Sequence, residues 1–323
     1  MIGRRVLLTL AQCVSGRRRP YRLVSGVVGA RELLSVPAVG GSLVGWIEGS
    51  GPPALLLHGG PGLSYSYLDD LGAELAVEFR VASYQQRGLA PSTLGGPFTV
   101  AQSVEDAVAV LDGLGWSRAL VVGHSWGGHL ALRLAADYPE RLLGVLAVEP
   151  IGVVGDGGRA AFEAELPARV PEERRRRAQE LEEREMTGTA TDADFHEAME
   201  ILWPAYFADP ENVPPMPPMR ASSEAYSGIA GEMTEGLERI AAELARGEIP
   251  YAALAGAASP IPWGQAARAT VELSPRASLT VVAAAGHFPW IECPGCVGEA
   301  LRRLNSEALT ASPADVTPHA PGC

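Results

Sequence analysis

Short apolar runs alternate with stretches of helical periodicity along most of the chain. The apolar runs lie at 54–57, 80–84, 119–122, 143–148, 251–255 and 279–283. Runs without polar alternation are typical of strands buried on both faces of a parallel sheet. Between the second and third runs, Thr99 and Gln102 have capping-box spacing, and apolar residues then recur at helical intervals as far as Leu111. This strand–helix–strand order predicts an α/β fold.

The strand-like pattern is interrupted by a long charged segment. Residues 155–248 hold 21 acidic residues and 10 arginines, in helical rather than strand-like patterns. We predict that this segment is a helical insertion, here called the cap. The predicted division is an N-terminal extension (1–35), a first part of an α/β core (36–152), the cap (153–248), a second part of the core (249–308) and a disordered tail (309–323).

Composition and charge narrow the class of protein. Of the 323 residues, 47% are hydrophobic and 20% are charged, which is typical of a soluble globular protein. The net charge is −12 and the chain has no lysine, so a nucleic-acid-binding face, Schiff-base chemistry and a phosphate-binding P-loop are not expected. No apolar run is long enough to span a bilayer. We therefore expect a small-molecule or short-peptide substrate and no nucleic-acid or membrane partner, while the oligomeric state cannot be read from the pattern.

Two features bear on localisation. The apolar run 6–14 resembles part of a signal peptide, but three arginines follow directly at 17–19 without a cleavage site. This favours a frayed N-terminal helix or an over-called start codon. The cysteines are Cys13, Cys293, Cys296 and Cys323. They do not form the pattern of a disulfide framework, and the close pair at 293 and 296 predicts an incidental turn rather than a metal site. We expect a cytoplasmic protein with no metal and no organic cofactor.

The sharpest motif is Gly-His-Ser-Trp-Gly-Gly at 123–128, between a buried strand and a helical pattern. A G-x-S-x-G motif in that context predicts a nucleophile elbow, a tight turn that holds Ser125 in strained backbone geometry at a helix N-terminus. The helix dipole there favours developing negative charge. Ser125 is therefore the predicted nucleophile.

Two further motifs offer partners for this serine. His-Gly-Gly-Pro-Gly at 58–62 follows an apolar strand, and such a turn either is a flexible loop or aims backbone N–H groups at an oxyanion. We predict an oxyanion hole made by the N–H groups of Gly60 and Trp126. His287 lies just beyond the last strand, whereas the other five histidines fall in the motifs, on the elbow helix, in the cap or in the tail. His287 is therefore the predicted general base.

With these motifs, and with Gln86-Arg87-Gly88 followed by Ser92, the chain resembles the α/β-hydrolase superfamily and, within it, the proline iminopeptidase-like group. The resemblance covers residues 40–305 in the order and spacing of motifs. It implies an α/β-hydrolase fold with an eight-stranded, mostly parallel sheet, a helical cap inserted after strand six, and a catalytic serine, acid and histidine in that chain order. The serine at the elbow is unlike the aspartate that the dehalogenase and epoxide hydrolase branches carry there.

One position departs from the family pattern. The family usually places its catalytic aspartate after strand seven, where this chain has Ser259. Glu149 lies at the carboxyl end of strand six, and some branches of the superfamily take their acid from that strand end. We predict that Glu149 orients His287. The alternatives are a carboxylate that only hydrogen-bonds backbone at the cap hinge, and a broken triad.

The motifs together predict a serine hydrolase. The resemblance favours a proline iminopeptidase-like aminopeptidase, with an ester or lactone hydrolase as the alternative and a C–C bond hydrolase still open. A non-catalytic ligand-binding protein of the same fold is favoured by Ser259 and opposed by the intact motifs. Trp203 and Tyr206 of the cap are predicted to bind substrate, with simple cap packing as the other interpretation.

Overall fold

One mixed sheet organises the part of the chain that this computed structural model describes, residues 7–11 and 31–310. Its strands are β1 (Leu7–Ala11), β2 (Glu32–Ala38), β3 (Gly41–Glu48), β4 (Pro53–Leu57), β5 (Arg80–Tyr84), β6 (Ala119–His124), β7 (Leu142–Val148), β8 (Tyr251–Gly256) and β9 (Ala277–Val282). They lie in the order β1-β9-β8-β7-β6-β4-β5-β3-β2. Strand β3 pairs antiparallel with β2 and β5, and the other described pairs are parallel. The mostly parallel sheet is confirmed.

The strand count differs from the expectation because β1 is additional. Strands β2 to β9 are the eight expected ones, so strand six of the usual numbering is β7 here. Strand β1 comes from the N-terminal extension and pairs with β9, from Leu7 opposite Ser278 to Ala11 opposite Val282. The helix expected over 6–14 is therefore wrong for 7–11, and the rest of that run lies outside the described residues. A short apolar run has no decisive periodicity, and the open edge of β9 offers it backbone hydrogen bonds.

Helices cover both faces of the sheet. They are α1 (Asp69–Leu75), α2 (Val100–Gly113), α3 (Trp126–Asp137), α4 (Arg159–Ala168), α5 (Glu172–Met186), α6 (Asp192–Leu202), α7 (Ser223–Glu232), α8 (Leu237–Arg246), α9 (Ala269–Val271), α10 (Pro289–Glu292) and α11 (Cys296–Thr310). Alternate strand residues face opposite layers: Val121 belongs to an apolar cluster that includes residues of α2, α3 and α8, whereas Val122 belongs to one that includes residues of α1 and α11. The N-cap expected at the start of α2 is confirmed, because the Thr99 side chain accepts from the Gln102 N–H, but the Gln102 side chain donates to Asp106 and does not complete a capping box.

The helices α4 to α8 lie between β7 and β8, in the segment expected for the cap. Residues of α4, α5 and α6 share a small apolar cluster of their own, whereas Ile240 of α8 packs into the large cluster with α3. The segment 153–248 is thus not a single packing unit. Two other expected boundaries also shift: residue 35 falls inside β2, and α11 continues to Thr310. No described helix is both long and apolar enough to cross a bilayer.

Candidate active site

The nucleophile elbow lies between β6 and α3. Ser125 has φ 55° and ψ −118° and precedes the first residue of α3. The turn is so tight that a Cβ added at Gly123 would lie 2.0 Å from the Gly127 carbonyl oxygen, and one added at Gly127 would lie 2.3 Å from the Leu57 oxygen. Only glycine fits at either position. The predicted nucleophile therefore projects from a strained turn, and it is partly exposed.

The glycine-rich turn after β4 lies against this elbow. A Cβ added at Gly59 would lie 2.8 Å from the Ser125 Cβ, and Gly60 has φ +61°. Among the hydrogen bonds of the described residues, the N–H groups of Gly60 and Trp126 have no acceptor. Both predicted oxyanion donors are thus unpaired at the elbow.

Gln86 joins this turn to the elbow helix. Its N–H donates to His58 Nε2 at 3.0 Å, and its side-chain amide donates to the His58 carbonyl oxygen at 2.9 Å. Its side-chain oxygen accepts from Trp126 Nε1 at 2.9 Å. Because Nε2 of His58 accepts, Nδ1 carries the proton and donates to the Gly59 carbonyl oxygen at 2.9 Å. The ring nitrogens of His58 and the indole N–H of Trp126 therefore have hydrogen-bond partners, and Gln86 links the glycine-rich turn to α3.

The predicted acid and base meet at the carboxyl ends of parallel strands. Glu149 directly follows β7 with φ 51°, and His287 follows β9. His287 Nδ1 is 3.3 Å from Glu149 Oε2, and both side chains are buried. The Gly256 N–H donates to the other carboxylate oxygen. No hydrogen bond of the described residues joins Ser125 Oγ to His287, and such catalytic contacts are often long before substrate binds.

Ser259 stands where the family's acid was expected, and its hydroxyl donates to Glu149 Oε2. This is the oxygen that faces His287. The Ile261 N–H in turn donates to Ser259 Oγ at 3.1 Å. Ser259 therefore does not replace the family's acid but donates a hydrogen bond to Glu149, the carboxylate predicted to take its place.

Burial governs the protonation of this pair. It raises the pKa of Glu149 to about 8, although the hydrogen bonds from Ser259 and Gly256 act in the opposite direction. Burial also lowers the pKa of His287 to about 3. Both groups therefore favour their neutral forms at rest, and a charge that develops on His287 must be balanced by the carboxylate beside it.

The cap approaches His287 through Tyr206. The two rings stack with centroids 5.2 Å apart, and the Tyr206 carbonyl oxygen accepts from the His287 N–H at 2.7 Å. Phe162 of α4 stacks on His287 at 6.3 Å. Trp203, in contrast, is buried against Phe288 and donates from Nε1 to a backbone carbonyl. Of the two predicted substrate-binding residues, Tyr206 lies at the site and Trp203 packs in the apolar core.

Comparisons with known proteins agree with this fold. A family model described as alpha/beta hydrolase fold matches residues 52–294. The chain belongs to the α/β-hydrolase family. Epoxide hydrolase B of Mycobacterium tuberculosis is 36% identical over 101 residues, which are 30% of this chain and 28% of that protein. The match thus spans less than a third of that relative's length.

Solved structures show the fold of this α/β hydrolase but not its substrate. The proline iminopeptidase of Mycobacterium smegmatis has a TM-score of 0.58 and 23% identity, over 87% of this chain and 100% of that chain. A thermophilic esterase from Thermogutta terrifontis also has a TM-score of 0.58 and 23% identity, over 87% and 99% of the two chains. The proline iminopeptidase is therefore one of several structural neighbours.

Sequence reasoning missed other contributions to the site of this α/β hydrolase. Glu292 accepts from the Gly286 N–H at 2.5 Å and the Ala208 N–H at 2.8 Å, and so ties the His287 loop to the cap. Neither Glu292 nor Phe162 belongs to a recognisable motif, so no local signal marked them. The helical spacing of α4 could have placed Phe162 on a face, but not against His287.

The two neighbouring cysteines of this hydrolase differ in state. Cys293 is disulfide-bonded, whereas Cys296 is a buried free thiol. The two are therefore not bonded to each other, and spacing alone could not reveal the disulfide.

Proposed function

We propose that this α/β hydrolase is a serine hydrolase that uses Ser125, His287 and Glu149. One observation carries the proposal: in the described residues, Ser125 and Glu149 are the only non-glycine residues with positive φ. Each such conformation costs about 1–3 kcal/mol and persists where the surroundings enforce it, often at functional sites. These two residues follow the adjacent strands β6 and β7, and Glu149 contacts His287.

The proposed reaction is acyl transfer to water. Ser125 Oγ attacks the substrate carbonyl carbon while His287 Nε2 takes its proton, and the N–H groups of Gly60 and Trp126 bind the oxyanion. Glu149 stabilises the imidazolium. The proton passes to the leaving group, which departs with the broken bond. Water, deprotonated by His287, then releases the acid and regenerates Ser125.

The surroundings of His287 favour an uncharged acyl group. Apart from Glu149 and the ring of His124, its neighbours are aromatic: Phe162 and Tyr206 stack on His287, and Phe288 meets it edge-on. Such a lining suits a neutral apolar acyl group better than an ammonium group. We therefore put a carboxylic ester or lactone first among the candidate substrates.

An aminopeptidase is the second candidate, because acidic side chains lie further out on the cap side. Burial raises the pKa of Tyr226 on α7, and nearby Glu185 acts in the same direction. Glu163 and Glu182 act in the same direction. These cap carboxylates would attract the free amine of a short peptide.

Covalent labelling tests the nucleophile directly. We would treat the wild type, Ser125→Ala and Ser306→Ala with a fluorophosphonate and measure intact mass. Ser306 is exposed on α11, away from the elbow, and serves as a matched control. We expect one adduct on the wild type and on Ser306→Ala, and none on Ser125→Ala. A folded wild type without an adduct would favour the non-catalytic ligand-binding alternative.

A substrate panel separates the two candidates. p-Nitrophenyl esters of short acids and several lactones would be compared with p-nitroanilides of proline and other amino acids. Each anilide would also be tested with its amine acetylated, as the matched control. Turnover of esters, with anilides unaffected by acetylation, supports the esterase. A preference for the free amine of roughly tenfold or more, about 1.4 kcal/mol, supports the aminopeptidase.

A further inference from the structure

A buried chain of hydrogen bonds connects the glycine-rich turn to His287. The Gly59 N–H donates to Tyr67 Oη at 2.6 Å, and Tyr67 Oη is 2.8 Å from His124 Nδ1. His124 Nε2 is 2.9 Å from the His287 carbonyl oxygen. The side chains of Tyr67, His124 and His287 are all buried. This series of hydrogen bonds thus connects the turn beside the nucleophile to the backbone of the predicted base, His287.

Chemistry determines which atom carries each proton. The His287 carbonyl oxygen can only accept, so His124 Nε2 must be the protonated nitrogen. Burial lowers the pKa of His124 well below its usual range, and the neighbouring His287 acts in the same direction. The ring is therefore neutral, Nδ1 has a lone pair, and the Tyr67 hydroxyl donates to it. With these protons assigned, each of the three hydrogen bonds has one donor and one acceptor.

We propose that Tyr67 and His124 are positioning residues. They form a hydrogen-bonded relay that holds the Gly59–Gly60 peptide and the His287 backbone at fixed positions relative to Ser125. The proposal rests on the proposed serine hydrolase function. Because Tyr67 occupies the Gly59 N–H, the adjacent Gly60 N–H is the one left for an oxyanion. The hydroxyl also lies close to the nucleophile, since a Cβ at Gly59 would be 3.0 Å from Tyr67 Oη and 2.8 Å from the Ser125 Cβ.

The variant Tyr67→Phe removes the hydroxyl and keeps the ring, which packs against Phe288 and Trp290. It leaves the Gly59 N–H and His124 Nδ1 without their partner. We expect the maximal rate of fluorophosphonate labelling to fall about 10- to 100-fold, because small displacements of reacting groups cost that much. The probe concentration at half-maximal rate should stay within about twofold, since the binding surface is unchanged.

The matched control is Tyr65→Phe. Tyr65 lies in the same short 3-10 turn, Tyr65–Leu68, and its hydroxyl makes no hydrogen bond to the described residues. We expect wild-type labelling for this variant. A second variant, His124→Gln, keeps a donor for the His287 carbonyl oxygen but lacks the ring nitrogen that accepts from Tyr67. The double variant should be little slower than the slower single variant, because both changes break one relay.

Nitrogen-15 NMR of the histidine rings reports the tautomer of His124 and requires no catalytic turnover. Among the six histidines, the His124 signals are those lost in His124→Gln. We expect the Nε2–H tautomer in the wild type and a mixture of tautomers in Tyr67→Phe. The Nδ1–H tautomer in the wild type, or wild-type labelling by Tyr67→Phe, would overturn the relay. If the wild type takes up no probe, the proposed function fails, and the tautomer then decides for or against the relay by itself.

Discussion

Replacing Glu149 by glutamine tests whether the carboxylate at the end of β7 serves as the acid of the site. Glutamine has nearly the same shape but no charge, and its amide can turn a donor toward His287 Nδ1. In the wild type, His287 is neutral before reaction and becomes charged only as it takes the Ser125 proton. The charge on Glu149 is therefore worth most in the transition state, and its loss should lower the maximal rate rather than weaken binding.

The distance between the two groups sets the expected magnitude. Glu149 Oε2 and His287 Nδ1 are 3.3 Å apart, and two unit charges at that distance attract by about 5 kcal/mol at an effective dielectric constant of about 20. That corresponds to a rate loss of roughly 10³- to 10⁴-fold. The wild-type rate should itself rise as the pH approaches 8, because burial raises the pKa of Glu149 to about 8 and the charged form is the active one.

The same substitution should change how stability depends on pH. The folded protein holds the Glu149 proton up to a pH of about 8, whereas the unfolded chain releases it near the ordinary value of 4.5. Folding therefore becomes less favourable as the pH rises through that interval, by up to about 5 kcal/mol. Glutamine removes this loss. Between pH 5 and pH 9, the free energy of unfolding of the variant should fall by about 2–5 kcal/mol less than that of the wild type.

The assays are the rate of fluorophosphonate labelling against pH, and urea unfolding at pH 5 and pH 9. Glu307→Gln, at an exposed position on α11, is the matched control for removing one carboxylate. A Glu149→Gln rate within about threefold of wild type would refute the role in orienting His287. Equal losses of stability in the variant and the wild type would refute the claim that the carboxyl is buried at a raised pKa.

Three further expectations concern the elements around the site. Ser259→Ala removes a hydroxyl that lowers the pKa of the buried carboxyl, so the labelling rate should reach its plateau about 1–2 pH units higher; an unmoved profile would contradict it. Gly127→Ala brings a Cβ to 2.3 Å from a backbone oxygen and should lower the free energy of unfolding in urea by about 3 kcal/mol. Gly231→Ala, in open space on α7, should leave it equal or raise it by about 0.5 kcal/mol, and comparable losses in the two variants would be inconsistent with steric strain at the elbow. Asp106→Asn breaks a buried ion pair with Arg87, 2.6 Å at both contacts, and should cost about 3–5 kcal/mol in the same assay; a loss below about 1 kcal/mol would show that the pair is dispensable.

Features whose geometry is local could be predicted from the sequence. The apolar runs indicated buried parallel strands because each run is complete within a few residues. The elbow at Ser125 and the turn at Gly60 could be predicted for the same reason, because Gly123 lies against Gly127 and Gly60 against Leu63, each a few residues away. The pairing of Glu149 with His287 was a hypothesis from the strand end, and the structure brings the two side chains together.

Features that depend on distant residues could not be predicted. Strand β1 forms because β9 leaves an edge open, and nothing in residues 7–11 encodes that edge. Ser259 looked like a lost acid because its partner lies 110 residues away. Trp203 was predicted to bind substrate because it is an aromatic residue of the cap. Its burial against Phe288 instead follows from how the cap folds onto the core. The role of Tyr67 also could not be predicted, because its hydrogen-bond partner His124 lies 57 residues away.

The positive φ angles of Ser125 and Glu149 have a consequence for protein engineering. Glycine adopts this backbone conformation without strain, so Ser125→Gly and Glu149→Gly would each relieve about 1–3 kcal/mol of backbone strain. The second change would also remove a buried ionisable group. A library selected only for survival on heating would reward changes at these two positions. Thermostability and reactivity are thus opposed at the same two residues, and any stabilised variant of this protein should be obtained with positions 125 and 149 held constant.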